Sequence, residues 1–298
     1  MNKAVFYTPT VTVFDENGQL DVQGNKNVFE HLIAGGIEGL VVMGSTGEFF
    51  AMTTEQKKQL VDIAVETAKG RAKVLIGVSC MTVEDTVEMG NYAMDQGADA
   101  VMIISPYYFK LSDESVEYYY DQVAEQIHGD IYLYNFPDRT GHDISPQVTL
   151  NLLRKHKNIV GYKDTVTGME HTRKLLQTVK YEFPDFIVLS GFDDNFVHNI
   201  LSGGSGCIGG LSNLYPELFS EWAKAVNVND MEKVAAIQNK VDKLFELYAI
   251  GTPFIPIVKK AMILRGVQIR DYCTKPFLRA TKEQTQKIKE VLEFVEKM

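Results

Sequence analysis

The segment Asn158-Ile159-Val160-Gly161-Tyr162-Lys163-Asp164-Thr165 is a short apolar run that carries one amine near its end. Its length and composition read as a buried strand. A lysine in such a run sends its head to solvent, pairs with a carboxylate, or does chemistry. Burial disfavours an ammonium ion, so an enclosed amine can act as a nucleophile and condense with a ketone to give a Schiff base. A strand-end lysine with a solvated or paired head is the plainer account of this segment taken alone.

Similar runs recur on both sides of it: Val5-Phe6-Tyr7, Gly39 to Met43, Val74 to Gly77, Ala100 to Ile104, Ile131 to Tyr134, Ile187 to Ser190 and Gly206 to Gly209. None alternates apolar with polar, so each strand buries both faces, as in a parallel sheet covered by helices. The intervening stretches are amphipathic. Thr54 to Ala64 has a threonine placed to cap and an apolar stripe, and Thr82 to Val87 opens another helix. Eight such βα units predict a closed (β/α)8 barrel, a TIM barrel, with an open doubly wound sheet as the alternative. No Gly-x-Gly-x-x-Gly follows the first strand, which weakens a dinucleotide-binding version of the open sheet. After Asn213 the segments Leu218 to Val226, Met231 to Tyr248, Pro253 to Leu264 and Thr281 to Met298 read as helices without strands. The expected organisation is a catalytic barrel over residues 1–225 and a C-terminal helical extension over 226–298, packed on it without a linker.

The 298 residues are 45% hydrophobic and 23% charged, with a net charge of −9. No stretch clusters Lys and Arg with aromatics, which argues against nucleic-acid and membrane partners. No run is long enough to span a bilayer, and the N-terminus lacks the apolar segment of a secretory signal. Cys80, Cys207 and Cys273 are odd in number and widely spaced, so reduced thiols and a cytoplasmic address are expected.

In a parallel barrel the chemistry sits just beyond the carboxyl ends of the strands. After the second strand, Gly44-Ser45-Thr46-Gly47-Glu48 offers hydroxyls and backbone N–H groups to a carboxylate or similar anion. Glu48 is expected to buttress that turn. After the fourth comes Ser105-Pro106-Tyr107-Tyr108, and the fifth ends Tyr132-Leu133-Tyr134-Asn135-Phe136-Pro137-Asp138-Arg139. Tyr134 stands one strand before Lys163, where a phenol could shuttle protons, although rim packing also explains such a tyrosine. Arg139 could bind a second carboxylate or polar groups of a substrate, or make a surface ion pair. The run Gly203-Gly204-Ser205-Gly206 raises a further possibility, a phosphate site near the eighth strand.

Taken in order, Gly44 to Glu48, Pro106-Tyr107-Tyr108, Tyr134-Asn135-Phe136-Pro137, Gly161-Tyr162-Lys163-Asp164-Thr165 and Gly203 to Gly209 resemble the dihydrodipicolinate synthase and N-acetylneuraminate lyase family, over nearly the whole chain. That resemblance implies a pyruvate-handling class I aldolase with no metal or organic cofactor, only the covalent imine of pyruvate with Lys163. It also implies a homotetramer built as a dimer of dimers. Lys163 resembles the Schiff-base lysine, Tyr134 the general acid/base, and Ser45 and Thr46 the binders of the pyruvate carboxylate. Tyr108 matches a tyrosine that reaches across a dimer interface to complete a proton relay through Ser45. Gly47, Gly191 and Ile208 would line the substrate site, Ile208 by its carbonyl.

Within the family, Arg139 resembles the arginine with which dihydrodipicolinate synthases hold aspartate semialdehyde. Lys163-Asp164-Thr165, Gly191-Phe192-Asp193-Asp194, Phe14 to Asp21 and a helical Gly251-Thr252-Pro253-Phe254 resemble bacterial 2-keto-3-deoxy-sugar-acid aldolases more closely. Phe49, Phe50, Thr54, Lys57 and Met81 stand where feedback-inhibited synthases carry polar residues for lysine, so lysine inhibition is not expected. The expected function is formation or cleavage of a 2-keto-3-deoxy sugar acid from pyruvate and an aldehyde. The alternatives are the synthase, N-acetylneuraminate lyase, a related dehydratase, or a barrel that binds a keto acid without catalysis.

Overall fold

A computed structural model of the chain describes residues 3–298. Its eight strands are β1 (Val5–Pro9), β2 (Gly39–Val42), β3 (Lys73–Gly77), β4 (Ala100–Ile104), β5 (Ile131–Asn135), β6 (Ile159–Asp164), β7 (Ile187–Ser190) and β8 (Gly206–Ile208). The helices between them are α1 (Val22–Ala34), α2 (Thr54–Ala68), α3 (Val83–Asp95), α4 (Asp113–Gln126), α5 (Pro137–Thr140), α6 (Pro146–Lys155), α7 (Glu170–Val179) and α8 (Phe196–Leu201). Beyond β8 follow α9 (Pro216–Asn227), α10 (Met231–Phe245), α11 (Ile255–Leu264) and α12 (Lys282–Lys297). The strands run in the order β1 to β8 and close into a barrel, so the open-sheet alternative is excluded. Every apolar run identified in the sequence forms one of these strands, and β2, β4 and β5 are buried along their whole length. That two-sided burial is why the runs carry no polar alternation.

By internal packing the chain divides into two units: Leu75–Ile208 with the start of the chain through Val5, and Phe6–Val74 with Gly209–Met298. In the first, β4 to β7 pair in parallel with Ile104 beside Tyr134, Tyr134 beside Lys163 and Lys163 beside Leu189. One residue further on, Asn135 pairs with Asp164 and Asp164 with Ser190. Side chains alternate faces along a strand. Tyr162 and Asp164 therefore point opposite to Lys163, and Tyr162 donates to the Ile144 carbonyl at 2.8 Å.

In the second unit Tyr7, Thr8 and Pro9 of β1 pair with Gly39, Leu40 and Val41 of β2. A fully buried cluster of Phe6, Phe219 and Trp222 joins β1 to α9. Asn213 donates to the Pro9 carbonyl at 2.9 Å, fixing the chain after β8.

Two local expectations need correction. Helix α2 is capped by Thr53, whose hydroxyl accepts from Gln56 N–H while the Gln56 side chain accepts from Thr53 N–H; Thr54 is already helical. The Thr-x-x-Gln reciprocity selects the earlier of two adjacent threonines. Gly251–Phe254 is not helical, and α11 starts only at Ile255, with Pro256 in its first turn. Proline lacks the N–H that a helix interior needs and fits the first turn.

Candidate active site

Lys163 and Tyr134 end adjacent strands in register, and both are buried, at 4% and 3% exposure. Lys163 Nζ stands 4.2 Å from the centre of the Tyr134 ring. No carboxylate among the described residues is within ion-pair distance of this amine. An enclosed amine facing an aromatic ring and lacking a carboxylate partner is the arrangement in which lysine serves as a nucleophile.

Around this pair lies an aromatic wall. Tyr134 stacks on Phe136 with ring centres 6.1 Å apart, and Phe136 meets Phe192 edge-on at 6.4 Å. Arg139 lies over Phe136 with its guanidinium carbon 5.0 Å from the ring centre. The guanidinium is exposed and donates only a long hydrogen bond, 3.4 Å, to the Asp138 carbonyl, so its charge faces outward over the wall.

Thr165 extends β6 on the face that carries Lys163, and its hydroxyl is buried without a hydrogen-bond partner. Gly191 is required beside it, because a Cβ there would fall 1.9 Å from the Thr165 hydroxyl oxygen. An orphaned hydroxyl in a buried place costs about 1–3 kcal/mol unless a ligand satisfies it. Ile208 ends β8 and is fully buried. Burial pushes the Cys207 thiol well up, assisted by the charge of Asp193, and burial raises Cys273 to about 11. Neither thiol competes as a nucleophile.

Tyr108 is placed differently. It is 80% exposed beyond β4 and meets Phe109, itself 73% exposed, edge-on with ring centres 5.0 Å apart.

In the second unit the turn after β2 is a short 3₁₀ helix, Ser45–Gly47, with Thr46 buried and Ser45 partly so. Met43 and Glu48, on either side, are left-handed with φ of 59° and 58°. Such strain costs on the order of 1–3 kcal/mol per residue and persists where the surroundings over-determine it. Here the surroundings are Thr12, whose hydroxyl donates to the Gly47 carbonyl at 2.7 Å, and the Glu48 side chain. Lys259 of α11 donates to Glu48 Oε1 at 2.5 Å, and both side chains are completely buried. Glu48 Oε2 accepts from the N–H and the hydroxyl of Thr274, each at 2.7 Å. Glu48 thus anchors the turn, as its position suggested. Lys259 was not singled out in the sequence; its signal is that it falls on the buried stripe Ile255, Val258, Lys259, Met262 at helical spacing.

The glycine run is also explained. Gly203 to Ser205 precede β8 and lie at its amino end, away from the ends where barrel chemistry occurs. A Cβ at Gly204 would strike Asn199 at 2.0 Å, so Gly204 serves close packing.

A closed parallel barrel with a buried, carboxylate-free lysine beside a tyrosine at neighbouring strand ends has the layout of a class I aldolase or lyase. The chain belongs to the dihydrodipicolinate synthetase family, whose family model it matches over residues 3–295, and it is an enzyme of that lyase kind. It is 36% identical over 280 residues, covering 94% of this chain and 93% of the relative, to "Probable 2-dehydro-3-deoxy-D-pentonate aldolase YjhH" of Escherichia coli (strain K12). From the same organism, "Putative 2-dehydro-3-deoxy-D-gluconate aldolase YagE" is 34% identical over 90% of this chain and 89% of its own. The crystal structure of YagE in complex with pyruvate superposes with a TM-score of 0.96 at 32% identity, over 98% of each chain. The 4-hydroxy-tetrahydrodipicolinate synthase of Kosmotoga olearia is 32% identical over 95% of each chain.

Proposed function

We propose that this chain is a pyruvate-dependent class I aldolase that cleaves a 2-keto-3-deoxy sugar acid to pyruvate and an aldehyde, and runs the reverse condensation. The observation that carries the reading is Lys163 Nζ, buried without a carboxylate partner, 4.2 Å from the Tyr134 ring. The Lys163 amine attacks the C2 carbonyl carbon, the carbonyl oxygen leaves as water, and a protonated imine results. Tyr134 gives its phenol proton to the departing hydroxyl as that water leaves and, then a phenolate, accepts the proton of the C4 hydroxyl as the C3–C4 bond breaks. The bond's electrons pass to the imine nitrogen, the aldehyde departs and an enamine remains. Protonation at C3 and hydrolysis of the imine release pyruvate and restore the amine. The imine is the electron sink, so the scheme uses no metal or organic cofactor.

The Ser45 to Gly47 turn is assigned the keto-acid carboxylate, and Ile208 and Gly191 the pyruvyl unit. Thr165 favours a hydroxylated substrate, because its buried hydroxyl has no protein partner. The relatives named as sugar-acid aldolases, at 36% and 34% identity, support the same substrate class.

Arg139 favours a second reading, the condensation of pyruvate with aspartate semialdehyde, since its exposed guanidinium could hold a second carboxylate. The assembly proposed is a homotetramer in which Tyr108 of one subunit completes the proton relay of another, with residues 226–298 as the helical extension and a cytoplasmic location. Borohydride treatment with pyruvate tests the core of the reading: a mass adduct is expected on Lys163, and an unmodified Lys163 would refute it. Side-by-side assay of 2-keto-3-deoxygluconate cleavage, its epimer, and aspartate semialdehyde condensation separates the two substrate readings.

A further inference from the structure

Behind the proposed imine lysine, on the opposite face of β6, lies a buried polar cluster that the scheme above does not use. Asp164 is 1% exposed and its carboxylate is held by three residues from two elements. Asn135 at the end of β5 donates to Oδ1 at 2.9 Å. From α7, Thr172 donates to Oδ2 at 2.7 Å and His171 Nδ1 lies 2.9 Å from the same oxygen. Asn135 is itself fixed, accepting from Ile144 N–H at 3.0 Å and donating to Asp143 at 3.1 Å. The Asn135–Asp164 register pair immediately follows the Tyr134–Lys163 pair on the same two strands. A tie between β5 and β6 therefore sits one residue from the atoms whose approach the chemistry needs. Displacements near 1 Å at such a point cost about 10²-fold in rate.

We propose that Asp164 and His171 are positioning residues that clamp the ends of β5 and β6, holding Lys163 against Tyr134, and that the clamp is complete only while His171 carries its proton. This rests on the reading of Lys163 as the imine-forming residue.

The surroundings of His171 favour the cation. From β6 it faces Asp164 and the ring of Tyr162, 6.3 Å between centres, and from the segment between α5 and α6 it faces Asp143, 3.9 Å from Nε2. On its own helix the neighbouring charges are Glu170, Arg173 and Lys174. Burial alone would lower the imidazole's proton affinity, but the hydrogen bond and charge of Asp164, with the charge of Asp143, outweigh it and hold His171 above its ordinary range. Burial keeps the Tyr162 phenol neutral. Buried His171 Nε2 makes no well-aligned hydrogen bond, and the proton at that end answers to the charge of Asp143 and to the Ile144 carbonyl.

The test is the rate of borohydride-trapped pyruvate adduct on Lys163, followed by mass spectrometry between about pH 6 and 9, the range around the ordinary histidine titration. Wild type, Asp164→Asn, His171→Ala and His171→Asn are compared, each with a thermal melt. Wild type should show a fall in rate above the ordinary histidine range that both His171 variants lack. Asp164→Asn should slow trapping by about 10²-fold and His171→Ala by about tenfold. His171→Asn, whose amide can reach the position of Nδ1, should recover the rate that wild type shows on its alkaline side. Wild-type rates with the alkaline fall retained in both His171 variants would overturn the proposal, as would slowing that only tracks lost stability. If Asp164→Asn does not fold, the His171 pair decides. Absence of any adduct in wild type would overturn the imine reading itself, a distinct result.

Discussion

Lys163 and Lys259 are both amines enclosed by the fold, at 4% and 0% exposure, yet they are enclosed in opposite ways. Lys259 is fully paired. It donates to Glu48 at 2.5 Å and to the Tyr272 carbonyl at 2.8 Å, and it lies 5.1 Å from the centre of the Phe14 ring. Lys163 has an aromatic ring and no carboxylate. A buried amine matched by a carboxylate serves structure; one without such a match is placed to act as a nucleophile. Burial alone did not separate the two, and only the partner does. The left-handed Glu48 adds a second distinction, since Lys259 stabilises a strained turn and Lys163 sits on regular strand.

Substitution should separate the two amines in kind. Lys163→Met should leave the melting temperature close to wild type and reduce kcat on the order of 10⁶-fold, the scale seen when a covalent nucleophile is removed. A variant with substantial aldolase activity would break the comparison at its base. Tyr134→Phe keeps the ring beneath the amine and removes the hydroxyl, so kcat should fall by about 10²–10⁴-fold, the span of general acid/base assistance. If kcat holds and only KM rises, the phenol binds substrate and moves no proton.

Lys259→Met should act on folding. Leaving the Glu48 carboxylate buried without its cation should cost about 3–5 kcal/mol of stability, measured by denaturant unfolding. The double variant Glu48→Gln, Lys259→Met should recover part of that loss, because the penalty belongs to the uncompensated charge. A Lys259→Met protein of wild-type stability that no longer forms the pyruvate adduct would place Lys259 in the chemistry and erase the distinction.

What the sequence could carry follows the same division. The strands were legible because two-sided burial removes polar residues from each run, and Lys163 and Tyr134 stood out as the polar groups at the ends of such runs. The Glu48–Lys259 pair was half visible. Glu48 could be assigned to the turn from its place after Gly47, but its cation lies 211 residues away in a helix where Lys259 and Lys260 look alike. Lys260 instead pairs with Asp271 at 2.7 Å, its side chain 20% exposed. Asp164 was read only as a neighbour of Lys163, since nothing local announces that His171 and Thr172 fold back onto it. The start of α2 was blurred by one residue where Thr53 and Thr54 sit side by side, because only the reciprocal hydrogen bond with Gln56 chooses between them.

The smallest expected effect contrasts two histidines in place of two lysines. His171 is held above its ordinary range, so between the ordinary histidine value and its own the folded chain binds more protons than the unfolded. Its contribution is full below the ordinary value and is lost as pH rises through the raised one. His31 in α1 behaves oppositely: burial lowers it, and its hydrogen bond to the Asn213 carbonyl at 3.0 Å offsets this only in part. There the unfolded chain binds more protons, so stability falls as pH drops below the ordinary histidine value toward the folded one. Unfolding free energy measured across this range should therefore pass through a maximum near the ordinary histidine value. His171→Asn should flatten the alkaline side and leave the acid side in place. A variant whose acid side flattens instead would mean that Asp164 and Asp143 do not hold the His171 proton, and that Asp164 is kept in place by Asn135 and Thr172 alone.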